Sequence, residues 1–222
     1  MRQFSTLFSF VSSLIATASI LTTVFTSTPA HAYYATLDNG EVLKEGEYQA
    51  MISPQLIFNQ FDGANFTGRL DTGLMEGVSG RALLGFGKID FQIGGMLKWM
   101  PFPDTDSQPA IGGEAGIIFA RIGSINQYSI RLHPIVSKRI ETEIGDVIPY
   151  GSLPFGITVQ SGGGDETFMP AQLVAGTELR PLEMKNWSFF GELGVNLTKS
   201  FGYASVALAY RFDGSSFGTG KQ

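Results

Sequence analysis

The chain has 222 residues, contains no cysteine and carries a formal net charge of −5 at pH 7. The lack of cysteine excludes disulfide bonds and thiolate catalysis, and an acidic balance without a basic run argues against a nucleic-acid partner. Glycine (28 residues) and phenylalanine (18 residues) are abundant, which is typical of closely packed strands edged with aromatic side chains.

The N-terminal 32 residues have the pattern of a secretory signal peptide. Arg2 precedes a mostly apolar stretch from 4 to 25, and Ala30 and Ala32 form a small-x-small cleavage site. We expect cleavage after Ala32, which leaves a mature chain that starts at Tyr33. The alternative, an uncleaved membrane anchor, is disfavoured by that site and by the many Ser and Thr residues of the apolar stretch.

About ten segments alternate between apolar and polar residues with the period of two that is typical of β-strands. Each is close to the 9–11 residues with which a tilted strand crosses a bilayer. The predicted strands span residues 48–59, 66–75, 81–87, 88–100, 111–121, 127–137, 147–160, 167–179, 187–198 and 201–212.

Turn and loop signals separate these strands. The stretch 101–109 contains three prolines, which a central strand does not tolerate, and 138–146 is a charged connection. Before the first strand, residues 33–46 are polar and are predicted to be a lead-in. After the last strand, residues 213–222 are predicted to be a flexible tail, so that residues 33–212 form a single barrel domain.

The last predicted strand divides its side chains into two faces. Val206, Leu208, Tyr210 and Phe212 form an apolar face that closes on two aromatic residues. This strand resembles the terminal strand by which bacterial outer-membrane β-barrels are recognised for assembly, although members of that family usually end on the final aromatic residue and ten residues follow Phe212 here. The resemblance implies an exported protein of the bacterial outer membrane, with membrane lipid and the barrel-assembly machinery as partners.

Charged residues of both signs fall on the polar faces of the predicted strands. In a membrane barrel those faces line the lumen, where the charges either pair into a plug or leave a narrow wet passage. The predicted lumen-lining residues are Arg69, Asp71, Arg81, Asp90, Lys98, Glu114, Arg131, Glu178, Glu192 and Arg211. The predicted fold is all-β: a closed, antiparallel, up-and-down transmembrane β-barrel of about ten strands, within a range of eight to twelve. The predicted role is that of a monomeric structural barrel or small-solute pore.

Two alternatives remain open from the sequence. A soluble, lipocalin-like barrel that binds an apolar ligand inside also alternates along its strands, with the apolar face inward. A lipid-modifying barrel enzyme would use His133, the one histidine of the mature chain. A lone histidine without a nucleophile segment is more often a lumen or interface residue, and we predict that the protein is not an enzyme.

No segment predicts a metal or cofactor site, and we expect neither. Asp104 and Asp106 have a spacing that suits Ca²⁺, but no glycine or bidentate Glu continues them into a calcium-binding loop. A solvated turn is therefore expected there. The glycines at 162–164 lack the Lys-Ser/Thr pair of a phosphate-binding loop.

Overall fold

The computed structural model describes residues 35–58, 62–162 and 164–214, which fold into one closed antiparallel β-barrel. The strands are β1 (Glu47–Phe58), β2 (Gly63–Met75), β3 (Val78–Gly87), β4 (Phe91–Phe102), β5 (Ala110–Ile122), β6 (Ile125–Ser137), β7 (Ile140–Thr142), β8 (Gly145–Ser152), β9 (Phe155–Ser161), β10 (Glu166–Phe168), β11 (Ala171–Pro181), β12 (Trp187–Thr198) and β13 (Gly202–Asp213). Among the described residues, no helix is long and apolar enough to cross a bilayer. The predicted signal peptide, and the predicted tail beyond Gly214, lie outside the described residues.

The thirteen strands fill ten positions around the barrel. β8 and β9 share one position, because both pair with β6 in a single register that is interrupted only at Leu153 and Pro154. β7 and β10 are short hairpin partners of β8 and β9 and take no position of their own. The prediction of about ten strands in a closed antiparallel barrel is confirmed.

The barrel closes where β1 pairs with β13, with Tyr48 opposite Phe212. We call the end that holds the start of β1 and the end of β13 the terminal end, and the other the distal end. The proline-rich loop of residues 103–109 and the β6–β8 connection lie at the terminal end. The short β3–β4 and β5–β6 turns lie at the distal end.

The outward face of the barrel is an apolar band. Leucine, isoleucine and valine side chains stand out from it, with Ile52, Ile117 and Leu193 each about 60% exposed or more (64%, 67% and 59%). Soluble monomers rarely expose apolar patches of this extent. The band is therefore a surface that another apolar medium covers.

Aromatic rings border this band at both ends. At the terminal end the ring centroids follow one another at 4.9, 6.2 and 5.7 Å along the row Trp187, Tyr210, Phe212 and Tyr48. At the distal end the contacting pairs are Phe66 with Phe86 at 6.0 Å and Phe119 with Tyr128 at 5.1 Å. Two such girdles are typical of barrels in which aromatic side chains sit at the two membrane interfaces.

The inward face is polar and buried. Gln55, Glu114 and Arg131 are at most 3% exposed there. A polar interior with an apolar exterior is the arrangement of a barrel in lipid, and it is the reverse of what the soluble, lipocalin-like alternative requires. The fold is that of a transmembrane barrel.

Several predicted strand boundaries are wrong, among them the start of the third strand, which lies at Val78 rather than at 81. The fourth strand begins at Phe91 rather than at 88, because residues 88–90 form a turn. Ile89, which lies within the predicted strand, is instead buried in this turn (1% exposed), and its N–H donates to Asn65 Oδ1 at 3.0 Å. The segment predicted as the eighth strand is divided into β10 and β11, with Pro170 lying between them.

Candidate functional site

The lumen is occupied by the segment that precedes β1. We call residues 35–43 the N-terminal plug. Thr36, Leu37, Asp38 and Asn39 are each at most 5% exposed inside the barrel. The sequence predicted a polar lead-in for this part of the chain; its polar groups face the charged wall of the lumen rather than solvent.

The deepest described part of the plug is held by Glu192 of β12. Thr36 donates to this carboxylate from its backbone N–H and from its hydroxyl, each at 2.7 Å, and Leu37 donates from its N–H at 2.6 Å. Leu37 has a positive φ of 43°. Successive N–H groups next to a left-handed residue form a concave site that binds anions, and here the anion is the side chain of the barrel wall.

Two tyrosines complete the environment of Glu192. Tyr150 of β8 donates to it at 2.8 Å and Tyr203 of β13 at 2.6 Å. Each ring lies over a glycine of a neighbouring strand: a Cβ on Gly176 would be 2.4 Å from the Tyr150 ring, and one on Gly194 would be 2.1 Å from the Tyr203 ring. The five donors satisfy a carboxylate that burial would otherwise make costly.

A second contact holds Asp38 between two cations of the wall. Arg81 Nη2 and Lys98 Nζ lie 2.9 and 2.8 Å from its carboxylate oxygens. Arg81 also pairs with Asp71 at 2.7 Å and with Glu114 at 2.8 Å. One guanidinium thus joins three carboxylates, two from the wall and one from the plug.

Arg69 of β2 extends this cluster to the plug backbone. It pairs with Asp71 at 2.8 Å and donates from Nη1 to the carbonyl oxygens of Thr36 and Leu37 at 2.8 and 3.1 Å. Lys98 similarly donates to the carbonyl oxygen of Glu41. The wall therefore binds both the charge and the peptide groups of the plug.

A third contact lies near the terminal end, at Glu41. Its carboxylate pairs with Arg180 of β11 and with Arg139 of the β6–β7 connection. Burial raises the pKa of the Glu41 carboxyl, but the two arginines outweigh burial and hold the pKa below its usual value. Arg180 also donates to Glu178 at 2.6 and 2.9 Å, and Asn39 of the plug donates to the same carboxylate.

The plug leaves the lumen past Gly73 of β2. Glu45 forms a parallel bridge with Gly73, and Glu47 N–H donates to Lys44 O at 2.9 Å as β1 begins. A Cβ on Gly73 would lie 2.0 Å from Lys44 O and 2.5 Å from Leu43 O. Only glycine leaves room for the chain to cross β2 here.

The plug fills the lumen at its own level. The two cavities beside it measure about 30 Å³ and 20 Å³, which is room for one or two water molecules each. Leu37 belongs to the buried apolar cluster that includes Met51, Leu83 and Ile118. With the plug seated, neither of these two cavities is large enough to hold a small organic solute.

Most of the predicted lumen residues point into the barrel. The inward-facing ones are Arg69, Asp71, Arg81, Lys98, Glu114, Arg131, Glu178, Glu192 and Arg211. The prediction for Asp90 is wrong: it lies exposed in the β3–β4 turn, where its carboxylate accepts a hydrogen bond from Gly123 N–H at 2.6 Å. Arg180 is not among the predicted lumen residues, because the predicted strand ends at Leu179; β11 continues to Pro181, and Arg180 shares the inward face of Glu178.

His133 also lies on the inward face, 3% exposed, with Nδ1 3.6 Å from Glu114 Oε2. The hydroxyl of Ser129 shares a hydrogen bond with Thr158 at 2.8 Å. Asp104 accepts hydrogen bonds from Lys138 and from the N–H of Arg139 at 2.8 and 2.6 Å, so it joins two terminal-end connections. Within the described ranges, no group of three or more His, Asp or Glu residues is placed to hold a metal ion.

The residues predicted as an assembly signal lie on the outer side of β13. Val206 is 60% and Tyr210 38% exposed, and Leu208 and Phe212 are half-buried by neighbouring side chains. The inward side of the same strand carries Tyr203. β13 thus presents its apolar face to the surroundings and helps to position the plug with the other.

Comparison with known proteins adds a likeness of fold. No family model and no curated protein matches the chain. The solved structures that it resembles include several bacterial outer-membrane β-barrels. They include the translocator domain of the autotransporter NalP from Neisseria meningitidis (15% identity, 75% of this chain and 88% of that one, TM-score 0.44). The attachment invasion locus protein Ail of Yersinia pestis is also similar, with 14% identity over 76% of this chain and 99% of that one and a TM-score of 0.32. So is the outer-membrane enzyme PagL, with 13% identity over 75% of this chain and 98% of that one and a TM-score of 0.35.

Proposed function

We propose that this protein is a bacterial outer-membrane pore for small solutes that its own N-terminal plug holds closed. The observation that carries the proposal is the plug's attachment to separate parts of the wall: Glu192, the Arg81–Lys98 pair, and Arg180. All of these contacts are hydrogen bonds and ion pairs. Because such contacts exchange with water at modest net free energy, the plug is able to leave without unfolding the barrel.

The polar wall behind the plug supports this role. A purely structural barrel is stable with an interior packed by its own side chains, as small eight-stranded barrels are. Here the wall charges that contact the plug lie on β2, β3, β4, β11 and β12, around the space it fills. Removal of the plug would leave a polar, water-compatible passage.

Conductance across a planar lipid bilayer tests the proposal. We expect the mature protein to be closed most of the time, and a variant lacking residues 35–43 to conduct continuously. Heat-modifiable migration on a gel confirms that the variant has folded. A folded variant that conducts no more than the intact protein would overturn the pore proposal and leave a structural role.

A reversible lock provides the matched control. A Cβ on Gly40 would lie 2.6 Å from Ser137 Oγ and also 2.6 Å from Ala110 Cβ, so Ala110→Gly is combined with the lock to give the new side chain room. The native chain has no cysteine, so Gly40→Cys with Ser137→Cys creates one defined bond. Oxidation should abolish the openings of the pore, and reduction should restore them. Openings that persist in the oxidised protein would show that current does not pass the plug.

The proposed role includes no catalysis. His133 is buried in the lumen beside Glu114, away from the lipid-facing surface on which a lipid-modifying enzyme would act. The expected result of His133→Ala is an unchanged lipid profile of the cell envelope. A lipid species that disappears with this substitution would favour the enzyme.

The outer-membrane location and the assembly route are part of the proposal. The N-terminal sequence pattern supports export, and the outer face of β13 supports recognition by barrel-assembly machinery. Fractionation with carbonate washing tests the location: the protein should stay in the outer-membrane pellet and shift its migration on heating. Recovery in the soluble fraction would contradict it.

A further inference from the structure

Around the plug, the charges of the wall are balanced by the two carboxylates of the plug. The wall residues that line the two cavities beside the plug, together with Glu192, include six cations and four carboxylates. The cations are Arg69, Arg81, Lys98, Arg131, Arg180 and Arg211, and the carboxylates are Asp71, Glu114, Glu178 and Glu192. The plug adds the carboxylates of Asp38 and Glu41, which bring the total to zero.

The imbalance is concentrated at the two places that those plug carboxylates occupy. Around Asp38 the wall supplies Arg69, Arg81 and Lys98 against Asp71 and Glu114, so one positive charge is left over. Lys98 is the side chain most affected, because both hydrogen bonds of its ammonium go to the plug, to Asp38 and to the carbonyl of Glu41. It is also 6% exposed.

Around Glu41 the balance is the same. Arg139, Arg180 and Arg211 stand against Glu178 and Asp146, so these partners have one cation in excess when Glu41 departs. An uncompensated charge in a narrow lumen attracts a counter-ion strongly, since low-dielectric walls weaken screening.

From this we propose that the open lumen is anion-selective and binds small carboxylate-bearing solutes where Asp38 and Glu41 lie in the closed state. The plug carboxylates are tethered substitutes for the carboxylates of the solute. This inference rests on the proposed pore function and adds the class of solute to it.

Carboxylates fit the site better than phosphate groups. Each position leaves a single excess positive charge and already contains wall carboxylates, which favour a group with one negative charge over a doubly charged phosphate group. The Asp38 position presents two donors, from Arg81 and Lys98, to two oxygens of one planar group. A carboxylate has that geometry.

The experiment uses the variant that lacks residues 35–43, recorded in a bilayer under a KCl gradient. A variant with the whole chain, Asp38→Asn with Glu41→Gln, replaces it if the deletion does not fold. The expected reversal potential is that of an anion-selective pore. Glutarate should block the chloride current as its concentration is raised, whereas the uncharged glutaramide should not.

Lys98→Gln in the same open background identifies the site. We expect glutarate to block at roughly tenfold higher concentration, a change of about 1.4 kcal/mol, with the pore still open. Arg121→Gln, at the exposed end of β5, should leave the block unchanged. A cation-selective open pore, or equal effects of glutarate and glutaramide, would overturn the inference while leaving the pore proposal standing; an open-background variant that does not conduct would overturn the pore proposal itself.

Discussion

Thr36 and Glu192 are 156 positions apart in the chain, yet they are joined by two hydrogen bonds of 2.7 Å, one from the backbone and one from the hydroxyl of Thr36. With the N–H of Leu37 and the hydroxyls of Tyr150 and Tyr203, they give this buried carboxylate five donors. Three of the five belong to the plug. Whether the plug is seated or released therefore depends most directly on the side chain of Glu192.

Substitution of Glu192 by Gln should release the plug. The amide keeps one acceptor oxygen but turns an NH₂ group toward donors that then have no acceptor. Hydrogen bonds to a charged group contribute about 1.5–3 kcal/mol, so we expect the open fraction of the pore to rise roughly 10- to 100-fold. Single-channel recording measures this fraction.

The matched control is Val195→Ala on the same strand, where the side chain points outward and is 48% exposed. It should leave the open fraction unchanged. Protease digestion of the folded protein gives a second measurement, because released residues 35–43 become accessible. Equal open fractions and equal digestion in the two variants would contradict the role of Glu192 as anchor.

The contact at Glu41 predicts that acid opens the pore. Arg180 and Arg139 hold the pKa of this carboxyl below its usual value of 4.5, so the ionised form is favoured in the seated plug. Ionised Glu41 stabilises the seated plug fully at a pH above the pKa that its carboxyl has when the plug is released. This stabilisation is lost as the pH falls through the lower pKa that the carboxyl has when the plug is seated. Conductance should therefore stay low from pH 7 to about pH 4.5 and rise below it.

Arg139→Gln should move this acid opening to higher pH. The substitution removes one of the two cations that lower the pKa of Glu41, and Arg139 is largely exposed, so the barrel itself should be unaffected. Conductance is compared between pH 3.5 and 7 in the two proteins. If conductance rises at the same pH in both proteins, or if it rises when the pH is made alkaline, Glu41 is not the group that controls the opening.

Gly73→Ala should disturb the plug where it leaves the lumen. The new Cβ would lie 2.0 Å from Lys44 O, closer than atoms approach without a shift of the backbone. We expect increased protease cleavage within residues 35–45 and a higher open fraction. Gly191→Ala is the control, since a Cβ there meets no atom within 4 Å.

The sequence predicts the barrel well because each strand carries its own signal. β12 has the predicted bounds, Trp187–Thr198, and its polar and apolar residues occupy the predicted faces. The alternation is local, so neighbouring residues suffice to identify it. In β11, every second residue faces inward. Because the strand continues to Pro181, Arg180 lies on the same inward face as Glu178.

The plug could not be predicted in this way. Residues 35–43 have no period of two, and their partners lie between 32 and 156 positions away, at Arg69 and Glu192. Polarity was visible in the sequence, but a polar segment suits solvent and a charged lumen equally. Asp90 is the opposite case, a local pattern that misleads. The alternation of its segment predicted an inward side chain, but the turn before Phe91 places Asp90 outside the strand.

A charge on the outer face tests the orientation of the barrel in lipid. Leu193 lies near the middle of β12, opposite Ala175 and Ala204, and is 59% exposed. An arginine at the bilayer midplane of a barrel costs roughly 2–4 kcal/mol, and near the interface about 0–1 kcal/mol. Leu193→Arg should therefore lower the stability of the protein folded in phospholipid vesicles, measured by urea titration, far more than Leu197→Arg near the distal end of the same outer face. Equal stability of the two variants would mean that the apolar band does not face lipid, since in water both arginines would be solvated alike.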